Sequence, residues 1–171
     1  GLVTMPNIMI LERAQRTAEA VVKRLGPYCK EREDGSGHYI EIAGSIRRRR
    51  PWVNDIDIVL IPGDAWNLHQ EMLRLGQVRA SGGKITRIMA GRTQIDIYIA
   101  SEETWATLLL IRTGSAQNNI RLCSRAKEMG GHLHADGKGL FNKKGERIAG
   151  DTEQSIYNAL GLAYQQPWER D

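Results

Sequence analysis

The chain has 171 residues, 41% of them hydrophobic and 26% charged, with 24 Lys+Arg against 20 Asp+Glu and a net charge of +4. This is the composition of a soluble domain, long enough for one good core or two small lobes sharing an interface, and no apolar run is long enough to span a membrane. Two distant cysteines, Cys29 and Cys123, exclude a disulfide framework, and the mild basic excess permits a polyanionic partner without demanding one.

Residues 7–25 carry Leu11, Ala14, Ala18, Val21, Val22 and Leu25 at spacings of three and four, one face of a helix that Gly26-Pro27 ends. A polar loop follows, then "HYIEIAG", an alternating strand running into a Gly-Ser turn. "DIDIVLIP" is a second strand. Asp64 caps a short helix through Leu75, which Gly76 stops. A hairpin around Gly82-Gly83 and a strand "TQIDIYIA" complete a strand-rich half. Ser101, ahead of Glu102 and Glu103, predicts a helix start, with Trp105, Leu108 and Leu109 on its buried side. "TGS" interrupts, and a second helix runs to about Met129. Short strands with Gly turns come next, and Asp151 with Gln154 predicts a capping box for a last helix stopped by Gly161. No repeat or flexible linker is apparent. The economical reading is α+β with two lobes, residues 1–110 and 111–171.

Side chains two apart on a strand share a face, so Asp55 and Asp57 stand together while Ile56 and Ile58 face the core. In "QIDIYIA", Ile95, Ile97 and Ile99 take one face, and Asp96 sits with Tyr98 on the other, alone among apolar neighbours. If the two strands adjoin, three carboxylates converge. Such a cluster repels itself unless cations neutralise it, and oxygen ligands suit Mg²⁺ or Mn²⁺ rather than zinc. The alternative is a half-exposed sheet with solvent-facing Asp residues. Upstream, the Gly44-Ser45 turn offers N–H groups and a hydroxyl to an anion, and Arg48 adds a planar fork suited to phosphate. A phosphate cradle beside a two-metal site is what nucleotidyl transfer requires.

"GSIRRRRPWVNDIDI" resembles the nucleotidyltransferase signature of the DNA polymerase X family, the polymerase-beta-like enzymes, with "RTGSAQNNIRLCSRA" and "DTEQSIYNALGLAYQQPWER" as second and third motifs in the family order. The resemblance runs from about residue 8 to 170. It implies a palm, a mixed sheet with flanking helices, followed by a small α+β thumb lobe. It also implies two Mg²⁺ or Mn²⁺ ions on Asp55, Asp57 and Asp96, with Asp96 helping to deprotonate a primer 3′-hydroxyl. Gly44, Ser45, Arg48 and the backbone at Asn54 would hold the triphosphate, Gly114 and Ser115 would form the turn beneath the sugar, and Asn119 would contact the incoming base. The implied activity is addition of a dNMP from a dNTP to a primer on template DNA, in short-patch repair or end-joining synthesis, by a monomer. No room is left for lyase or helix-hairpin-helix domains, so the minimal palm-plus-thumb form is expected. With no secretion signal, the expected location is the cytoplasm, or a nucleoid or viral factory, with no membrane partner.

Departures from the family pattern bear on specificity. Ile111-Arg112 stands where an aromatic pair usually packs on the sugar, which predicts relaxed discrimination and makes an rNTP a second candidate substrate. Ala116 replaces a small acidic residue. Cys123 falls where an arginine often checks the template, and Arg121 and Arg125 are turned roughly 160 to 200° away from it on a helix. Of the four arginines 47–50, only Arg48 receives a specific role; the others read as general electrostatics. The four tryptophans read as core or lobe-interface residues, and Tyr164 and Pro167 as docking the tail onto the second lobe. Two other classes compete. A template-independent transferase acting on RNA, protein or a small acceptor would share Gly-Ser and Asp-x-Asp but lack the Thr-Gly-Ser lobe. An inactive DNA-binding module is disfavoured because repelling buried carboxylates only cost stability without a cation.

Overall fold

The computed structural model describes residues 7–171. Strand β1 (Met9–Ile10) leads directly into helix α1 (Leu11–Leu25), which buries Ala14, Ala18, Val21 and Leu25 as the spacing requires. Gly26-Pro27 does end the helix, through a single 3₁₀ turn at Gly26–Tyr28. Strands β2 (Ile40–Ile42), β4 (Ile56–Leu60), β5 (Gln77–Ser81), β6 (Ile85–Ala90) and β7 (Thr93–Ile99) form one mixed sheet in the order β2-β4-β7-β6-β5. Only β4 and β7 are parallel. They lie at the centre of the sheet and are joined through helix α3 (Ala65–Leu75) and the β5-β6 hairpin. Asp64 caps α3 by accepting the Asn67 amide at 3.2 Å.

Both faces of this sheet are covered. Ile56, Ile58, Ile95 and Ile97 pack with α1 and α3 on one side. On the other, Val59 and Tyr98 pack with Ala43 and with Leu108 and Leu109 of helix α4 (Trp105–Thr113). The face expected to be polar is therefore largely dry, and Asp96 is only 4% exposed. Helix α4 starts at Trp105 with Thr104 as its cap, three residues later than a cap at Ser101 suggested. Ser101 and Thr104 bond each other's backbone in a turn that delays the helix.

Helix α4 belongs to two clusters. Leu110 and Ile111, on its far side, pack with α5 (Ala116–Glu128), the three-stranded sheet β8 (His132–His134), β9 (Gly139–Phe141) and β10 (Arg147–Ala149), and α6 (Glu153–Ala159). The capping box of α6 uses Thr152 and Ser155 rather than Asp151 and Gln154. Asp151 instead pairs with Arg147 at 2.9 Å, leaving Thr152 next to the helix. Two further expectations fail. Gly44-Ser45 is not an open turn but the start of a short helix, α2 (Gly44–Arg47). Trp52, on the short strand β3 (Trp52–Val53), and Trp66 are 63% and 72% exposed rather than buried. Trp105 does pack edge-on against Tyr39. Tyr164 packs on the second cluster through Tyr157, and Pro167 is buried. Among the described residues no helix is long and apolar enough to cross a membrane.

Candidate active site

The parallel pair β4-β7 sets Asp57 directly opposite Asp96, with Asp55 one side-chain repeat upstream at the mouth of β4. The register follows from the alternation. With Ile56↔Ile95 and Ile58↔Ile97 paired on the core face, the aspartates must share the other. Burial and the charges of Asp96 and Asp55 push the Asp57 carboxyl up to about 7. Burial, then Asp96, also raises Asp55, while Arg87 pulls it back. Among the described residues, neither the Asp55 nor the Asp57 carboxylate accepts a hydrogen bond, and no three acidic, His or Cys side chains close into a metal cage.

Asp96 is placed differently. Arg87, directly opposite on β6, donates Nε to Oδ1 at 2.7 Å, and Gln94 donates Nε2 to Oδ2 at 3.1 Å. It is therefore not alone among apolar neighbours. The missing signal was hairpin register. The turn at Gly91-Arg92 pairs Ala90 with Thr93, and counting back along both strands brings Arg87 to Asp96.

Helix α2 sits against these carboxylates. Gly44 has φ +59°, and a Cβ built on it would overlap the Asp57 carboxylate, so the turn and the aspartate can touch only because residue 44 is glycine. Ser45, at the first turn, makes no side-chain hydrogen bond among the described residues. Asn54 is exposed beside Asp55. Arg48 donates Nη1 to the Thr113 carbonyl at 2.6 Å, while its buried Nε has no partner among the described residues. Burial and the neighbouring Arg50 both disfavour its charge, the electrostatic condition under which an anion is welcome.

The other three arginines are not loose charges. Arg47 forms a fork on Glu153 at 2.6 and 2.8 Å and also donates to Thr113 Oγ1 at 2.8 Å. Glu153 is shared with the fully buried Arg170, whose Nη1 lies 2.7 Å away and whose remaining donors reach Gln165 and Tyr164. Burial alone would raise the Glu153 carboxyl, but the hydrogen bond and charge of Arg47, with Arg170, hold it below the usual range. Arg49, itself at φ +59°, lays its guanidinium 3.6 Å over the Trp168 ring, and Arg50 pairs with Asp171. The run thus ties helix α2 and the loop after it to the C-terminal residues. None of these partners lies near the run in sequence, Glu153 being 106 positions from Arg47.

Gly114 and Ser115 form the expected turn between α4 and α5, joined by a cis peptide. Ser115 Oγ caps α5 by accepting the Asn118 amide at 3.2 Å, and its own N–H is held by the Arg170 carbonyl. Asn119 donates Nδ2 to the Ile111 carbonyl at 2.9 Å, leaving its buried Oδ1 without a partner. Arg112 stacks 4.2 Å over Tyr98, and Ile111 is buried. Arg121 bonds Gln165, and Arg125 bonds the Leu160 carbonyl, so neither points where Cys123 stands. The arrangement can hold an anion between Arg48 and α2, and hard cations on the adjoining carboxylates.

Three comparisons bear on this geometry. Residues 108–171 match the family model DNA polymerase beta thumb. DNA polymerase/3′-5′ exonuclease PolX of Bacillus subtilis (strain 168) is 30% identical over 135 residues, covering 75% of this chain but 24% of that protein, so the chain spans about a quarter of its relative's length. The crystal structure of Leishmania infantum polymerase beta in a ternary P/T complex superposes with a TM-score of 0.78 at 19% identity. That match covers 96% of this chain and 77% of the other, a likeness of fold.

Proposed function

We propose that this family X polymerase-like chain carries the nucleotidyl-transfer site of a DNA polymerase, adding a dNMP from a dNTP to a primer 3′-hydroxyl. The single observation behind this reading is Asp57 in register with Asp96, with Asp55 upstream and Gly44 of α2 packed against the Asp57 carboxylate. The residues fit divalent cations. Their donor set is oxygen-only, two of the three carboxylates accept no hydrogen bond among the described residues, and their mutual repulsion is what a dication relieves. Two Mg²⁺ or Mn²⁺ ions on Asp55, Asp57 and Asp96 would supply Lewis acidity to the phosphoryl oxygens and acidify the primer hydroxyl.

The chain's own groups do the rest. Arg48, with its unpartnered Nε, and Ser45 grip the triphosphate, and the Asn54 backbone lies at its edge. Asp96 is oriented to accept the primer proton. Gly114 and Ser115 would bring the second lobe, residues 111–171, against the sugar, and Asn119, whose buried Oδ1 has no partner among the described residues, would turn to contact the base. Ile111 is buried and Arg112 is turned onto Tyr98, so no aromatic platform meets the sugar. Relaxed ribose discrimination follows, testable by comparing dNTP and rNTP incorporation on one primer-template. Short-patch repair or end-joining synthesis is the setting that suits such an enzyme.

Primer extension with and without template, using wild type, Asp96→Ala and a chelator, tests the reading. Template-directed extension lost in both controls is the expected result. Addition without template would establish a template-independent transferase, and DNA binding without extension an inactive module.

A further inference from the structure

The three carboxylates are not held alike. Asp55 and Asp57 accept no hydrogen bond among the described residues, whereas Asp96 is pinned by donors from two directions. We propose that Arg87 is the positioning residue of Asp96, fixing one carboxylate oxygen from the neighbouring strand while leaving the other edge to a metal ion. The inference rests on the polymerase reading above.

The geometry carries it in three steps. First, Arg87 and Asp96 are cross-strand partners, so the sheet itself holds the pair in place, and the 2.7 Å bond comes from Nε, the donor nearest the stem of the guanidinium. The Nη2 contact to Oδ2 is 3.5 Å, at the limit of a hydrogen bond, and Gln94 serves that oxygen instead. Second, a carboxylate has about four lone-pair sites, and these two bonds fill half of them, so orientation is fixed without closing Asp96 to a cation. Third, the Asp96 side chain is 6% exposed while that of Arg87 is 43% exposed. The guanidinium thus reaches the carboxylate from the solvent rim. Asp55 lies close enough to feel its charge, whereas Asp57 feels Arg112 and Arg48 instead, so Arg87 stands at the edge of the trio rather than at its centre. Carboxylates that ligate metals depend on such outer hydrogen bonds, whose loss costs about 10–100-fold in metal affinity or activity. A lysine at 87 would keep the charge but has no Nε–H donor along its stem.

The experiment uses the full chain with primer-template DNA. Arg87→Ala should lower kcat about 10–100-fold, with the nucleotide KM within about twofold. Arg87→Lys should restore thermal stability but recover at most about a tenth of wild-type kcat. An unchanged kcat in Arg87→Ala would overturn the assignment. So would full recovery in Arg87→Lys, because charge alone would then suffice. A second readout needs neither activity nor the alanine variant. The Arg87 side-chain Nε–H resonance, identified by its loss in Arg87→Lys, should move in Asp96→Asn. It should persist when Mg²⁺ alone is added until the Asp57 carboxyl ¹³C shift saturates. Its collapse to the free-arginine position under Mg²⁺ would mean the ion displaces Arg87, and the proposal fails. If the wild type extends no primer, the polymerase reading fails by itself, and the Mg²⁺ titration still decides on Arg87.

Discussion

The acidic face around Asp57 and the arginine run at 47–50 lie side by side, yet they treat charge in opposite ways. Asp55 and Asp57 are crowded, partly desolvated and without a hydrogen-bond donor among the described residues, and burial with mutual repulsion drives the Asp57 carboxyl up to about 7. Arg47, Arg49 and Arg50 each find a partner in the chain: Glu153, Trp168 and Asp171. Only Arg48 keeps a buried donor unmatched. Charges matched from within tie α2 to the C-terminal residues, and those left unmatched are the ones proposed to meet a ligand from outside. The distinction is physical, because an unpaired buried charge costs stability that a ligand can return.

Substitutions should pull the two regions apart. The largest effect is expected from Asp57→Asn, which should lower kcat at least 10²–10³-fold in primer extension. The same change should raise the melting temperature of metal-free protein, because it removes a repelling, desolvated carboxylate. A lower melting temperature would deny that the face is strained. In the other region, Glu153→Ala leaves Arg170 buried without its counter-ion and should cost about 3–5 kcal/mol by urea denaturation. A double-mutant cycle with Arg47→Ala should show strong coupling, and additivity would break the network reading.

Acidity gives a third contrast, of opposite sign in the two regions. Glu153 has a depressed folded-state pKa, so its stabilisation is present above the ordinary glutamate value of 4.5 and lost as pH falls through the lower folded value. Asp57 is raised, so its destabilisation of metal-free protein sets in as pH climbs from 3.8 and is complete above about 7. Mn²⁺ affinity, measured by calorimetry or electron paramagnetic resonance, should therefore rise with pH and level off above about 7. A flat profile between 5 and 8 would refute the assignment of that carboxylate. The smallest effect is reserved for Arg49→Ala. A half-exposed cation–π contact is worth about 0.5–1 kcal/mol, and kcat should be unchanged.

Much of the site was legible before any fold was drawn. Period-two alternation in "NDIDIVL" and "TQIDIYIA" placed three aspartates on one face and five isoleucines on the other, and the β4-β7 register agrees. The Asp64 cap and the stops at Gly76 and Gly161 were equally local. Errors arose wherever two local signals competed or a partner was remote. Thr152 and Asp151 are both good caps, and the nearby Arg147 decided between them. The exposure of Trp52 and Trp66 depends on which surface the sheet leaves uncovered, a matter no short window contains.

By itself, then, the chain's alternation determined which side chains share a face, because pleat and helix periods act over a few residues. Tertiary structure alone decided which charges are already matched. Arg87 reaches Asp96 only once a hairpin sets the register, and Arg47 meets Glu153 only once α4 brings α2 and α6 together. Three of the four arginines in "IRRRR" are therefore matched within the chain, and one keeps a buried donor unmatched among the described residues. Electrostatic matching depends on distance in space, which only the completed fold supplies.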